Sequence, residues 1–281
     1  MSPTLKYLGV VLDPLLHWQP HVEYACGKAL RRLSACKRLA ARTWGLSFWL
    51  RKVLYRAVFV ATLLYAAPVW AEKMLVGNRN RLRQAQRKAL IWVVSAYNSI
   101  SYEEAWLLAG EAPIEHKAVE LSTRYKAKRQ SIAGAGASCR KEAREEAELC
   151  LKNIKSNGLI GQIAFESDAV RKICINHVTV QYLTGHGLFR YYLHWRKLED
   201  DDICLGCMDR VSETADHVMF KCDQFQSLRD RFFTEAIESS DYSATEGEKI
   251  LWKEADAQAF VDFCQEIHKL RKPLQVSLSE W

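Results

Sequence analysis

Between Glu23 and Glu72 the sequence holds no acidic residue. The shortage of negative charge is local. Residues 1–130 carry 21 Lys and Arg against 8 Asp and Glu, a balance of +13, whereas residues 131–281 carry 19 against 25, a balance of −6. A basic half joined to an acidic half points the basic half at a polyanion. Long apolar runs are also lacking. The longest charge-free apolar stretch, Ala57 to Ala71, spans 15 residues and contains Pro68, short of the roughly 20 that a membrane span needs. It reads as a buried helix, and no membrane partner is expected. The N-terminal Met1-Ser2-Pro3-Thr4 has neither the charged nor the apolar region of a signal peptide. With 9 cysteines, an odd number, the default is an intracellular, reducing compartment in which thiols are unpaired or metal-bound.

Signatures of catalysis are missing as well. There is no G-x-S-x-G elbow and no defensible Cys–His pair. Ala133-Gly134-Ala135-Gly136-Ala137-Ser138 lacks the preceding strand and the following Lys-Ser/Thr of a phosphate-cradling loop. It reads as a flexible joint and the best domain boundary. The acidic run Glu199-Asp200-Asp201-Asp202 has no hairpin pattern around it and no partner aspartate in a preceding strand, so it reads as a solvated loop rather than a two-metal site. No catalytic residue and no small-molecule substrate are expected.

What is present is mostly helical in period. At 281 residues, 49% hydrophobic and 26% charged, the chain can bury one large core or two smaller ones. Leu5 to Asp13 reads as a strand or tight hairpin broken by Asp13-Pro14. From about Trp18 a helix begins. At about 100° per residue Lys28, Arg31, Arg32, Arg38 and Arg42 share one broad face, opposite Leu30, Leu33 and Ala40. Phe48–Ala66 reads as a core helix that turns Leu50, Val53, Leu54, Ala57, Val58, Ala61, Leu64 and Tyr65 inward. In a second basic helix, about Arg79–Ser95, Arg79, Arg83 and Arg87 face outward, while Leu82, Ala85, Ala89, Trp92 and Val93 face inward. Such faces can track phosphates and release counterions. Ser101 with Glu104 forms a capping-box signature, the helix it starts ends near Gly110, and Pro113 opens the next. An exposed helix is expected over 140–151. Ile173–Leu183 and Phe189–Leu198 bracket a turn at Thr184-Gly185-His186-Gly187, and helices near Phe225–Ile237 and Gly247–Lys269 finish the chain. His186 between two glycines is a candidate nucleic-acid contact. So are Arg190 and Arg196, which lie with Lys197 beside Tyr191, Tyr192 and Trp195, a set suited to base stacking.

The strongest local signal is C-x2-C-x9-H-x4-C, formed by Cys204, Cys207, His217 and Cys222. A C-x2-C turn presents two thiolates to one ion, and H-x4-C supplies the other two ligands of a tetrahedron. Four protein ligands close the site, which predicts structural Zn²⁺ rather than hydrolysis. Val218, Met219 and Phe220 would pack the module, and His194 or Cys174 are the nearest substitute ligands.

Four stretches together resemble the C-terminal part of the reverse transcriptase polyprotein of non-LTR retrotransposons, most like the lineage that inserts into ribosomal DNA. They are Tyr7-Leu8-Gly9-Val10 with Leu12-Asp13; Arg83 to Gly110 with Gln86-Arg87 and Leu108 through Pro113; Leu183-Thr184-Gly185-His186-Gly187 with Phe189 and Tyr192-Leu193; and Glu213 through Cys222. The resemblance implies the end of the palm, a thumb along the template–primer duplex, a linker, and a terminal CCHC knuckle touching RNA or target DNA. It also implies a nuclear location. No F/Y-x-D-D motif stands before Tyr7, which only six residues precede. The chain is therefore expected not to polymerise by itself, as a truncated copy, a fragment or a domesticated remnant.

The fold expected is mainly α: a helical, thumb-like bundle with a short N-terminal β element, followed by a small CCHC zinc-knuckle domain. The domains are drawn at 1–17, 18–132, 133–172 and 173–281. The function expected is nucleic-acid binding, with a zinc-stabilised protein-interaction scaffold as the alternative.

Overall fold

A computed structural model describes residues 4–72, 74–130, 141, 145, 158–160, 175–207, 210–238 and 256–271. The fold is mainly helical, and the chain divides into two compact units, Met1–Cys150 and Leu151–Trp281. No helix among the described residues is long and apolar enough to cross a membrane. The Gly-Ala joint at 133–138 lies outside the described residues. So does the helix expected over 140–151, apart from the exposed pair Lys141 and Glu145.

Unit 1 opens with an antiparallel hairpin, β1 (Leu5–Tyr7) and β2 (Val10–Leu12), in the register Leu5↔Leu12, Lys6↔Val11 and Tyr7↔Val10. Its turn residues Leu8 and Gly9 both have positive φ, 45° and 84°, as a two-residue hairpin turn requires. The Asp13 carboxylate then accepts from the amides of His17 and Trp18, both at 2.9 Å, and turns the chain into α1 (Gln19–Lys37). His21 is buried at the junction, and its Nδ1 accepts from the Val11 amide at 3.2 Å.

The basic helix is shorter than its charge pattern suggests. It ends at Lys37, so Arg42 lies in a loop and not on the helical face. That loop folds back through a bridge between Ala40 and Gly45. Gly45 sits at φ 95°, and a Cβ there would stand 2.5 Å from the Leu39 carbonyl oxygen, so only glycine fits.

Helix α2 (Phe48–Leu54) runs through a π-helical segment, Tyr55–Val60, into Ala61–Leu63. Helix α3 (Ala67–Trp70) follows. The buried side of this stretch is Arg51, Lys52, Tyr55, Phe59, Val60, Thr62, Leu63 and Leu64. Five of the eight residues expected inward are overturned: Leu50 and Val53 are 53% and 58% exposed, and Ala57, Ala61 and Tyr65 are exposed, whereas Leu64 is buried and Leu54 and Val58 are half-buried. The segment is apolar almost all round, so its period does not choose a face. The buried basic groups choose it instead.

Arg51 explains why. Its Nε donates to Leu46 O at 2.8 Å, Nη1 to Ser95 Oγ at 2.6 Å and to Trp92 O at 3.2 Å, and Nη2 to Ala41 O at 2.6 Å and Trp44 O at 3.3 Å. The guanidinium thus fastens the 38–47 loop to the C-terminal end of α4 (Val76–Val94), whose negative dipole end suits a cation. Trp92 Nε1 donates to Ala40 O at 3.1 Å and adds a second tie.

Helix α4 is central. It packs on α1, α2, α5 (Tyr102–Ala109) and α6 (Ile114–Arg129). Its expected inward residues Leu82, Ala85, Ala89, Trp92 and Val93 are all buried. The Ser101–Glu104 capping box forms, α5 ends at Gly110, and Pro113 precedes α6. Gln86 is fully enclosed with every amide group used. Its Nε2 donates to Tyr55 Oη and Ala112 O, and its Oε1 accepts from Tyr102 Oη and the Ile114 amide.

Unit 2 contains α7 (His177–Thr184), capped by Asn176; α8 (Arg190–Trp195); a π turn at His217–Lys221; α9 (Gln226–Glu238); and α10 (Asp256–Arg271). Leu183, Phe189, Val218, Met219, Phe225, Phe260, Phe263 and Ile267 form its core. Fully burying one such side chain contributes about 1.5–3 kcal/mol.

Arg51→Met leaves a cluster of buried carbonyls without a donor. It is expected to lower unfolding free energy by about 2–4 kcal/mol, read from the urea midpoint; a midpoint equal to wild type would remove Arg51 as the anchor of unit 1. Burial holds the His21 imidazole at about 4, down from 6.5. The unfolded chain therefore protonates first, so this contribution is complete above about 6.5 and is lost as pH falls towards 4. His21→Asn, whose amide oxygen can still accept from Val11, is expected to flatten that part of the stability profile.

Candidate metal centre and basic faces

Cys204, Cys207, His217 and Cys222 converge. One ligand atom from each lies within 4.8 Å of the others. Cys204 Sγ is 3.8 Å from Cys222 Sγ, Cys207 Sγ is 3.4 Å from Cys222 Sγ, and Cys207 Sγ is 3.3 Å from His217 Nε2. Ligands about 2.0–2.3 Å from one ion at tetrahedral angles lie roughly 3.3–3.8 Å apart. These three spacings match tetrahedral edges, and the four residues could hold one metal ion.

Local chemistry builds this convergence. Ile203 and Ser212 form an antiparallel bridge, with the Cys204 amide donating to Val211 O at 2.8 Å and the Glu213 amide to Asp202 O at 2.7 Å. The Gly206 amide donates to Cys204 Sγ at 3.4 Å and tightens the C-x2-C turn. On the other arm Thr214 Oγ1 accepts from the His217 amide, and the Cys222 amide donates to His217 O at 2.8 Å. Five residues overshoot a 3.6-residue α turn. The wider π turn, closed by an i to i+5 bond, brings His217 and Cys222 round to one side. Val218 and Met219 are buried beneath it, and Phe220 is half-buried.

Burial favours the neutral form of the ligand groups. Burial pushes the Cys204 thiol up to about 12 and raises Cys222, and it lowers His217. Clustered neutral thiols make only weak hydrogen bonds, whereas a divalent ion stabilises the thiolates and reverses that trend. Arg229 is buried beside them. Its Nη2 donates to Cys222 O at 2.6 Å and to Gln226 Oε1 at 2.8 Å, while its buried Nη1 has no hydrogen-bond partner among the described residues. A divalent cation held by three thiolates and an imidazole keeps one net negative charge, which this guanidinium offsets. Arg229 carried no sequence signal, because an arginine in an amphipathic helix reads as solvated. Among the substitute ligands, His194 is exposed with Nδ1 against Glu199 O, and Cys174 lies outside the described residues.

The basic residues separate into two groups. Arg31, Arg38 and Arg79 are exposed, and no carboxylate among the described residues pairs with them. Lys28 and Arg42 rest over the rings of Tyr24 and Tyr97, at 5.6 and 5.0 Å. The others have internal partners. Arg32 donates to Thr62 Oγ1, Arg83 pairs with Glu115, and Arg87 donates to Asn98 O and Ile100 O. Arg190 pairs with Glu199 at 3.1 Å and Asp201 at 2.8 Å, which occupies half of the acidic run. Sequence reasoning missed these ties, because most of the partners are distant in sequence or are backbone carbonyls.

Around the turn after α7, Gly185 is left-handed and His186 is half-buried. The His186 ring lies 5.0 Å from Tyr192 and 6.4 Å from Trp195, nearly parallel to the latter at 12°. Arg196 is exposed, with its guanidinium 5.8 Å from the Trp195 ring centroid.

No protein-family model matches the chain, and no solved structure does. Curated relatives do. The chain is 28% identical over 250 residues, 82% of its length, to a retrovirus-related Pol polyprotein from the type-1 retrotransposable element R1 4 of Nasonia vitripennis. It is 24% identical over 80% of its length to the corresponding R1 polyprotein of Bradysia coprophila. It is 26% identical over 80% of its length to a 115 kDa protein in element R1DM of Drosophila melanogaster. The match covers 63% of the first relative and 24% of each of the other two. The family resemblance drawn from the four sequence stretches therefore holds.

Proposed function

We propose that this chain, a homologue of the Pol polyproteins of R1 non-LTR retrotransposable elements, is a nucleic-acid-binding C-terminal portion of such a reverse transcriptase, carrying a structural zinc knuckle. The match across 80–82% of its length to R1 Pol polyproteins carries the reading. Zn²⁺ suits the donor set, because a borderline-soft ion without geometric preference takes three thiolates and an imidazole as a tetrahedron. All four positions are filled by protein, which leaves no position for a reactive water. The ion's work is to fold the 204–222 loop. The basic helical unit would lie along phosphates of template RNA or target DNA, with exposed Arg31, Arg38 and Arg79 as its foremost contacts. The reading assigns binding to this chain and not polymerisation.

A second reading has its own observation behind it. Trp49, Leu50, Val53, Tyr65 and Val69 are exposed apolar side chains of unit 1, and where such side chains adjoin they mark protein contacts. A zinc-stabilised protein-interaction scaffold would use them. Pull-down of protein partners in competition with nucleic acid separates the two.

Metal analysis of purified chain is expected to return about one zinc per molecule. Cys204→Ser or Cys222→Ser should release it and unfold the knuckle locally, since binding and folding are coupled. Zinc-free, folded protein would defeat the assignment. Binding to RNA or DNA is expected to weaken linearly in log–log with salt, by about 0.7–0.9 of slope per phosphate contacted. The combined Arg31→Ala, Arg38→Ala, Arg79→Ala variant should lose roughly two to three contacts' worth of slope. Weak binding at low salt would sink the nucleic-acid reading.

A further inference from the structure

The turn between α7 and α8 gathers three rings of graded exposure. Tyr192 is buried, His186 is half-buried, and Trp195 is 60% exposed. Their centroids lie 5.0 to 6.4 Å apart, with interplanar angles of 12° to 38°. Packed this way, His186 and Tyr192 hold the indole at the end of α8. An indole more than half open to water on a rigid mount is an unusual use of so large an apolar surface.

The charge around it is also arranged. The Arg196 guanidinium lies over the indole, 5.8 Å from the ring centroid, and the exposed Lys197 follows at φ 58°. In the neighbouring acidic run Glu199 and Asp201 are both turned onto Arg190, which offsets one of the run's four negative charges. Asp201 also accepts from the Ile203 amide at 3.0 Å. An exposed indole thus carries one mobile guanidinium over its ring and a second exposed cation next in sequence. A nucleobase with its phosphate satisfies both: the base lies on the ring and the phosphate meets the cations.

We propose that Trp195, mounted on His186 and Tyr192 and followed by Arg196 and Lys197, is a stacking site for one unpaired nucleobase of single-stranded RNA or DNA. This rests on the nucleic-acid reading above and gives it a base-level contact within unit 2. A duplex end without an overhang offers no such base, so the site selects strands with unpaired nucleotides. Stacking uses a π-face that every base has, so sequence preference at this position is weak.

The test compares four single strands on the zinc-loaded full chain: normal and abasic oligoribonucleotides, and normal and abasic oligodeoxyribonucleotides. Trp195→Ala is expected to weaken binding of the normal strands by roughly 5- to 100-fold. Binding of abasic strands should be unchanged by that substitution, and Trp195→Phe should retain most of the affinity. A 2-aminopurine in the normal strand should be quenched by wild type and not by Trp195→Ala. Greater loss with RNA than with DNA would make RNA the preferred source of the base, and the reverse would make it DNA. If wild type binds normal and abasic strands alike, the stacking site is overturned while the phosphate-binding reading stands. If no strand binds at low salt, that broader reading falls and takes the stacking site with it.

Discussion

Glu213 is the residue at which unit 2 is tied together. Its amide donates to Asp202 O, its carbonyl accepts from the Tyr191 amide, and its carboxylate accepts from the Arg190 amide at 3.1 Å and from Arg271. Arg271 in turn donates to Leu188 O and lies over the Phe189 ring at 5.2 Å. One side chain therefore connects the loop that carries the cysteines, the helix that carries Trp195, and the end of α10. Both members of the ion pair are nearly enclosed, at 10% and 8% side-chain exposure. Loss of either would leave the other charged and buried, an expensive state. The cysteine–histidine cluster and the aromatic turn depend on the same anchor.

Much of this architecture was legible because the relevant chemistry is local. The Ser101–Glu104 box, the Gly110 stop, the Pro113 start and the hairpin at Leu8-Gly9 each lie within a few residues. The convergence of Cys204, Cys207, His217 and Cys222 was legible for the same reason: a spacing of two and a spacing of four, each closed by a short turn. Homology to R1 Pol polyproteins was legible from motif order.

What could not be read depends on partners far away in the chain. The face of the 48–65 stretch is decided by Arg51, which reaches Ser95, 44 residues on. Arg83 looks solvent-facing by period, yet it meets Glu115, 32 residues later. The end of α1 at Lys37 is set by a loop held from Trp92. Periodicity reports which residues share a side. It does not report which side meets the rest of the molecule, least of all where both sides are apolar.

The inversion in α2, with guanidinium and ammonium inside and indole and isobutyl outside, has a consequence for how this segment can vary. Lys52 is enclosed with Glu111, which also takes Arg56 at 2.6 Å, so the charged positions are bound by geometry. Trp49, Leu50 and Val53 are all more than half exposed. Copies that drift under selection for folding alone would keep the charges and scatter the apolar letters. Copies in which Trp49, Leu50 and Val53 persist together would record a surface still in use.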